Sequence, residues 1–278
     1  MKSLKKLVLY SLCLAIIFSF AGCSVISSGP NIEYEVNDEG TVSVVKYTDS
    51  TEITEIVIPD EYEGKPVTNI ENFSIFNAES LKKITIGKNV SKIGEWAFTN
   101  NQALQEFVVD EENKYFTAVD GALYTKDMKT LLFYPSARNI EFDKFGTALN
   151  TSTFKIPDGV ETIRSKAFYK CYYVENIEIP ESVTVIEEKA FHRCNALKDL
   201  VLPSNLRYIG KDAFAYCGLL ENITIPETVE EIGEYAFFNC SGMKSITMLC
   251  DKDKVVLNDN WEPTASGREI KDCNIIWK

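Results

Sequence analysis

Four cysteines recur at a fixed interval and are the residues of this chain that most suggest chemistry. Cys171, Cys194, Cys217 and Cys240 follow one another every 23 residues. Thiolates can bind zinc, but zinc sites draw on short-spaced pairs that converge as a tetrahedron. Equal long intervals instead indicate a linear column, in which each cysteine packs as a small hydrophobe with a weak donor. Distance alone would not forbid disulfides between neighbours. The sequence therefore predicts neither a metal site nor a cofactor.

The other residues that could carry chemistry do not assemble into a catalytic group. His192 is the only histidine, and the residues 23 positions away, Tyr169 and Ala215, differ from it in type. The sequence contains no phosphate-binding loop, no Gly-x-Ser-x-Gly motif and no credible Ser/His/Asp arrangement. Glutamates such as Glu181 and Glu227 recur within a repeat, as expected of a solvated surface. We therefore expect that the protein is not an enzyme.

The cysteines belong to a repeat that fills most of the chain. Its proline stands at Pro157, Pro180, Pro203 and Pro226, and an Ala-Phe pair follows each proline at a constant distance. Apolar and polar residues alternate before the proline, which is typical of a short strand that the proline ends. A period of about 20–29 residues with this apolar pattern is typical of leucine-rich repeats.

The predicted fold class is a leucine-rich repeat solenoid, β-rich with short helical turns, of about six coils of 23 residues. A single coil would expose its apolar side, whereas stacked coils bury it continuously, with phenylalanine at the centre of each. Weaker copies extend the array upstream, and there Asn101 replaces the cysteine.

The repeat carries a family resemblance. The motifs Ile-Pro-Glu-Ser-Val-Thr-Val-Ile-Glu-Glu-Lys-Ala-Phe (179–191) and Ile-Pro-Glu-Thr-Val-Glu-Glu-Ile-Gly-Glu-Tyr-Ala-Phe (225–237) resemble the BspA-like leucine-rich repeat family of bacterial surface proteins. The resemblance covers about residues 33 to 250. It implies a solenoid used for surface display, adhesion and protein contact, without a common enzymatic activity and with the partner left open.

The sequence divides into five segments. They are a signal peptide (1–22), a lipid-anchored tether (23–30), an N-terminal cap hairpin (31–57), the solenoid (58–250, with a hairpin insert at 110–153) and a C-terminal cap (251–278). Caps are expected because terminal coils would otherwise leave apolar faces and strand edges in water. Trp261 and Trp277 are expected to seal the last coil, and Cys250 and Cys273 could form a disulfide there. The insert is either a functional loop or a hairpin that extends the sheet.

The first 22 residues have the features of an export signal. Lys2, Lys5 and Lys6 precede an apolar run, 7–20, that is too short to span a bilayer. The sequence Phe-Ala-Gly-Cys at 20–23 resembles the lipobox of bacterial lipoproteins, which implies a lipidated Cys23; the alternative is an ordinary signal peptide cleaved nearby. Loss of the three lysines changes the formal net charge from −12 to −15, which disfavours nucleic acid and anionic lipid as partners.

Two surfaces are candidates for recognition. Outward strand positions before each proline predict two columns on a concave strip, or else a merely soluble sheet face. The strip comprises Lys83, Thr85, Glu106, Asn176, Glu178, Asp199, Asn222, Thr224, Ser245 and Thr247, with Val108 and Val201 completing the columns. An aromatic rim could bind partners or sugars, or simply cover the coil ends. The rim comprises Trp96, Tyr169, Tyr172, Tyr173, Tyr208, Tyr216, Tyr235 and Phe238.

The sequence thus predicts a cell-surface lipoprotein that acts as a non-enzymatic scaffold for protein binding or adhesion. Its expected location is extracytoplasmic, lipid-anchored to the bacterial membrane or surface. The expected partner is an unidentified host or envelope protein. The alternative of a different class is a carbohydrate-binding accessory lipoprotein that uses the aromatic rim. Neither hypothesis involves nucleic acid, and both reach the membrane only through the lipid anchor.

Overall fold

The computed structural model describes residues 32–48, 53–145, 147–265, 268–269 and 273–278. Within these ranges the chain forms short strands joined by turns and contains no helix, so none that could span a membrane. The predicted signal peptide, the tether and Cys23 lie outside the described residues.

The strands are numbered in chain order. They are β1 (Ile32–Val36), β2 (Val42–Tyr47), β3 (Glu55–Ile58), β4 (Glu61–Tyr62), β5 (Lys65–Ile70), β6 (Lys83–Ile86), β7 (Lys92–Ile93), β8 (Glu106–Val109), β9 (Phe116–Val119), β10 (Ala122–Thr125), β11 (Thr130–Phe133), β12 (Ser152–Lys155), β13 (Thr162–Ile163), β14 (Val174–Glu178), β15 (Val185–Ile186), β16 (Tyr208–Ile209), β17 (Asn222–Ile225), β18 (Glu231–Ile232), β19 (Ser245–Met248), β20 (Val256–Leu257), β21 (Thr264–Ala265), β22 (Arg268–Glu269) and β23 (Asn274–Trp277).

Two sets of parallel strands run along the solenoid. The first sheet, as the term is used here, comprises β3, β6 and β8 before the insert and β12, β14, β17, β19 and β23 after it, and single bridges at Asp199 join β14 to β17. The second sheet likewise comprises β2, β5 and β7 and then β11, β13, β15, β16, β18 and β20. Among the described residues, strand pairing is interrupted between β8 and β12 in the first sheet and between β7 and β11 in the second. The solenoid has about nine turns. The expected six coils are too few because the insert and the C-terminal segment, which lack the Ala-Phe pair, also contribute turns.

Each coil is built as the repeat predicts. In β17 the side chains of Ile223 and Ile225 are buried and those of Asn222 and Thr224 are exposed. Pro226 follows and has no N–H for the sheet, so the strand stops there. Each isoleucine that is fully removed from water stabilises the fold by about 1.5–3 kcal/mol.

The Ala-Phe segment forms single turns rather than the expected short helical ones. In each of the four later Ala-Phe coils, two residues adopt the left-handed conformation, as Lys189 (φ 57°) and Arg193 (φ 63°) do on either side of Phe191. Only isolated turn hydrogen bonds form between them, such as the one from the His192 N–H to the Lys189 carbonyl at 3.1 Å. A helix cannot continue through a residue with positive φ. The turns of neighbouring coils are hydrogen-bonded to each other. For example, the N–H of Phe191 donates to the carbonyl of Ala213 in the next coil at 2.8 Å.

Stacked phenylalanines form the centre of the core. Phe168, Phe191, Phe214 and Phe237 are fully buried, and successive ring centroids lie 4.9, 5.1 and 5.4 Å apart. Tyr134, from the insert, stacks on Phe168 at 5.0 Å and thereby begins this column of rings.

The insert is part of the second sheet. The Asp120-Gly121 turn, with φ values of 51° and 71°, joins β9 to β10 as an antiparallel hairpin. β10 then pairs antiparallel with β11, and β11 pairs parallel with β13. A small hairpin follows, closed by a bridge between Phe142 and Ala148. The insert thus extends the sheet, and its hairpin exposes Phe145 to 81%.

The two halves of the array meet at a polar junction. Lys166 is only 4% exposed, and its ammonium lies 2.8 Å from the Glu95 carboxylate and 4.6 Å from the centre of the Trp96 ring. The hydrogen bond from Lys166 lowers the pKa of Glu95. The Arg164 guanidinium donates to the Ile93 carbonyl at 3.0 Å. Buried charges are stable only when paired in this way.

Both ends of the array carry additional elements. β1 and β2 form the expected antiparallel hairpin, and β2 also pairs parallel with β5, so this hairpin supplies the first strand of the second sheet. At the other end Trp261 is buried, with its ring edge-on to Phe237 at 6.5 Å. β20 and β23 are the last strands of the two sheets.

Candidate functional site

The first sheet aligns the predicted strip in two columns. Parallel pairing sets Lys83 beside Glu106, and Asn222 beside Ser245. Thr224 pairs with Thr247 in the second column. The bridges of Asp199 place it between Asn176 and Asn222. All the predicted members are exposed or half-buried, and the insert separates those on β6 and β8 from the rest.

The sequence analysis missed three pairs of column residues. They are Glu55 and Val57 on β3, Thr153 and Lys155 on β12, and Asn274 and Ile276 on β23. The first two pairs precede Ile-Pro dipeptides, a signal that would have identified them. No proline follows β23, and this pair is found only from its register with β19.

Most charges near the columns are already paired with one another. Lys83 lies 3.3 Å from Glu55 and 3.9 Å from Glu106. Beside the first column, Lys198 pairs with Glu175 and Lys244 pairs with Glu221, each at 2.5 Å. Exposed pairs of this kind add little stability. They do, however, leave little net charge along the border of the columns.

The C-terminal half of the columns is therefore a nearly neutral surface. From Asp199 onward the outward residues carry one charge, and the second column there consists of β-branched side chains. Those side chains are Val201, Thr224, Thr247 and Ile276. Val201 is 81% exposed. This surface of hydroxyl, amide and aliphatic groups has few charges, as the centres of protein interfaces do.

The aromatic rim is a packed row rather than a set of free rings. Trp96 stacks on Phe73 at 5.5 Å and meets Tyr169 edge-on at 5.3 Å. Further contacts run from Tyr169 to His192, Tyr216, Phe238 and Tyr235 in turn, at 5.2–5.6 Å. Part of each ring is thus covered by a neighbouring ring.

Two predicted rim residues lie elsewhere, and a third makes no ring contact with the row. Tyr208 is in β16, between Val185 and Glu231 of the second sheet. The ring of Tyr173 contacts Phe142 of the insert hairpin at 5.5 Å. Tyr172 is half-buried and has no ring contact within the described residues. The rim as predicted therefore does not form one surface.

His192 belongs to the aromatic row, a role that sequence reasoning did not assign to it. Its ring lies 5.2 Å from those of Tyr169 and Tyr216 and is 8% exposed. Burial lowers the pKa of His192 to about 4, and the positive charges of Arg193, Lys189 and Lys170 act in the same direction. The imidazole is therefore neutral near pH 7 and serves as a packed ring.

Replacing His192 with phenylalanine is expected to reduce the loss of stability in mild acid. In the unfolded chain a histidine titrates near pH 6.5. Between about pH 6.5 and pH 4 the unfolded chain binds a proton that the folded chain does not, so the free energy of unfolding falls as the pH drops. Urea unfolding of both proteins at pH 7 and pH 5 measures this. Equal losses in the two proteins would show that His192 does not titrate as described.

The thiols of the cysteine column form hydrogen bonds between one coil and the next. The thiols of Cys194, Cys217 and Cys240 donate to the carbonyls of Phe168, Phe191 and Phe214 at 3.2, 3.1 and 3.1 Å. Asn101 makes the corresponding bond to the Ile75 carbonyl at 2.8 Å.

Burial also makes the column an unsuitable nucleophile or metal site. It raises the pKa of Cys171 and of Cys240 to about 12. Reactive cysteines, in contrast, have lowered pKa values. No cluster of three or more metal-ligating side chains occurs in the part of the chain that the structure describes.

The two cysteines near the C-terminus do not form the disulfide that the sequence suggested. All the cysteines among the described residues are free thiols. Cys250 is buried, and Cys273 is half-buried against the last coil of the core. Packing, rather than a disulfide, therefore accounts for both in this structure.

Comparisons with known proteins agree with this architecture. A family model described as the BspA type leucine-rich repeat region matches six copies, over residues 41–174 and 117–244. A search of curated proteins gave no match.

Two crystal structures share the fold. The pneumococcal vaccine antigen PcpA superposes with a TM-score of 0.59 at 21% identity, over 83% of this chain and 69% of that one. A leucine-rich repeat protein from Eubacterium ventriosum gives 0.57 at 23% identity, over 74% of this chain and 54% of the other. This chain thus spans about half the length of the second protein. The family model covers well over half of the chain. The protein belongs to the BspA-type leucine-rich repeat family.

Proposed function

We propose that this protein is a non-enzymatic scaffold of the cell surface that binds a protein partner through the outward columns of the first sheet. The alignment of these columns by sheet register is the observation that carries the proposal. Their C-terminal half offers neutral, β-branched and amide side chains, with Val201 81% exposed. Membership of the BspA-type leucine-rich repeat family supports a scaffold role.

Export and a lipid anchor at Cys23 are part of the same proposal. The support is the Phe-Ala-Gly-Cys sequence at 20–23 after a short apolar run. Incorporation of a labelled lipid precursor, compared between the wild-type chain and Cys23→Ser, is the measurement that decides this part.

Charge reversal within the columns is expected to weaken partner binding at least tenfold. The test variant carries Glu178→Lys and Asp199→Lys, both on exposed column residues. The matched control carries Glu161→Lys and Glu230→Lys, at exposed positions on or beside the second sheet. Misplaced charges at an interface cost several kcal/mol, and about 1.4 kcal/mol is a factor of ten in affinity.

Binding is measured by biolayer interferometry against a panel of purified host-surface and bacterial envelope proteins, and on a glycan array. The proposal requires a protein ligand whose affinity falls in the test variant and stays within twofold in the control. An equal loss of affinity in both variants would show that the binding site lies outside the columns. Binding only to glycans, with loss in Tyr172→Ala and Tyr173→Ala, would favour the carbohydrate alternative instead.

A further inference from the structure

Within the part of the chain that the structure describes, β23, the last strand of the first sheet, has an open hydrogen-bonding edge. The Asn274 N–H donates to the Lys244 carbonyl at 2.9 Å, and the Lys278 N–H donates to the Met248 carbonyl at 3.0 Å. Because the N–H and C=O of one strand residue point to the same side, residue 276 also faces β19, while residues 275 and 277 face away. Among the described residues no strand pairs with this outer edge.

The same end of the molecule exposes apolar side chains. Ile275 and Ile276 are 37% and 42% exposed. Leu249, which lines the same surface hollow as Trp277, is 42% exposed. Ile275 pairs with Ile246 of the core, so its exposed part is the end of the apolar interior rather than a surface position.

β23 lacks the features that usually protect a sheet edge. Its sequence, Asn-Ile-Ile-Trp, has no charge, no proline and no bulge in its pairing with β19. Natural edge strands are commonly protected by one of these. At the opposite end of the first sheet, β3 begins with the exposed Glu55, and Pro59 follows it.

We propose that two copies of this protein pair through β23 in antiparallel orientation, about a two-fold axis at Ile276. Ile275 of one copy then lies opposite Trp277 of the other, and these residues exchange the backbone hydrogen bonds that both edges leave open. Ile276 lies opposite Ile276 of the second copy, at the non-hydrogen-bonded position between the two hydrogen-bonded pairs. Asn274 lies opposite Lys278, so no like charges face each other.

A second copy fits this edge for reasons of self-complementarity. An aromatic side chain opposite a β-branched one is a favourable cross-strand pair, and here it forms twice. With the two-fold axis perpendicular to the sheet, both buried faces lie on one side, so each copy covers the open apolar end of the other. Isologous pairing of this kind is the commonest form of homo-oligomer.

Pairing through β23 would join the column surfaces of the two copies. Ile276 and Asn274 lie in the columns, so the columns of one copy continue into those of the other across the axis. The pairing stands independently of the proposed function. If the columns do bind a partner, the dimer binds a two-fold or repetitive target with higher avidity.

Disulfide trapping at position 276 tests the pairing directly. Opposed residues at the non-hydrogen-bonded positions of antiparallel strands have Cα atoms about 4.5 Å apart, within the range that a disulfide spans. The full chain carrying Ile276→Cys is expected to form a covalent dimer in oxidised glutathione, with peptide mapping showing a 276–276 bond. The control is Thr247→Cys, which occupies the same column one strand inward and should not cross-link. The wild-type chain reports any background from Cys250 and Cys273.

Sedimentation velocity provides the second measurement. The wild-type chain is expected to dimerise, and Ile276→Lys to raise the dissociation constant roughly 100-fold, because two apolar contacts are replaced by opposed charges. Thr247→Lys should leave the dissociation constant within about twofold, since only β23 pairs across the axis. The inference is wrong if the wild-type chain is monomeric throughout, if Ile276→Lys dimerises normally, or if trapping favours position 247 over 276.

Discussion

Replacing Phe191 with alanine is expected to lower the free energy of unfolding by about 3–5 kcal/mol. The ring is fully buried, with centroids 4.9 Å from that of Phe168 and 5.1 Å from that of Phe214, and nearly parallel to both. Truncation to alanine loses the free energy gained by burying the ring. It also leaves a cavity between Phe168 and Phe214, because the hydrogen bonds between coils keep these two rings apart. Urea unfolding followed by circular dichroism measures the change.

The control for this variant is Phe145→Ala. Phe145 is 81% exposed on the insert hairpin, and substitutions at such positions usually change stability by less than about 0.5 kcal/mol. A loss below about 1 kcal/mol for Phe191→Ala would mean that the column of rings does not form a packed core.

Replacing Asn101 with leucine is expected to cost about 3 kcal/mol or more. The Asn101 side chain donates to the carbonyls of Ile75 and Phe98 at 2.8 and 3.0 Å, and it accepts from the Ala78 N–H at 2.8 Å. Leucine leaves all three backbone groups without these partners in a buried site, and each such loss costs about 1–3 kcal/mol. Chemical denaturation gives the difference.

Two further substitutions make this test specific. Asn101→Cys restores the residue of the later coils, whose thiol bonds the carbonyl 26 positions earlier, and should lose less stability than leucine. Asn205→Leu removes an exposed amide that makes a single bond to the Glu181 carbonyl, and should cost less than about 1 kcal/mol. If Asn101→Leu is no worse than Asn205→Leu, the buried amide is not needed between these coils.

The repeat predicted the fold because its signals are local and redundant. Proline after an alternating strand, Ala-Phe and cysteine all recur at one interval, and each has a packing role in the structure. The left-handed residues were not foreseeable in the same way. Residues such as Lys189 and Arg193 are not glycines, so the sequence does not distinguish their turns from a helical segment. Tyr134 begins the column of rings from inside the insert, where no periodic signal identifies it.

The columns could be predicted because their neighbouring residues are separated by one repeat. Column residues are equivalent in sequence, and sheet register brings them side by side. The aromatic row does not follow the period throughout, since His192 contacts Tyr169 at an offset of 23 and Tyr216 at an offset of 24. Equivalent positions alone therefore did not reveal that the histidine joins this row.

The lateral contacts of the later coils connect residues one repeat apart, and this constrains how such a gene can change in length. Loss of residues 180–202 would join Ile179 directly to Pro203, restoring the same dipeptide, and would bring Phe168 next to Phe214. The alanine, phenylalanine and cysteine of each surviving coil would meet neighbours of the type they had before. Recombination between repeats can therefore shorten or lengthen the solenoid by whole coils while the packing of its core is preserved. The length of the solenoid can thus change by mutation and be inherited.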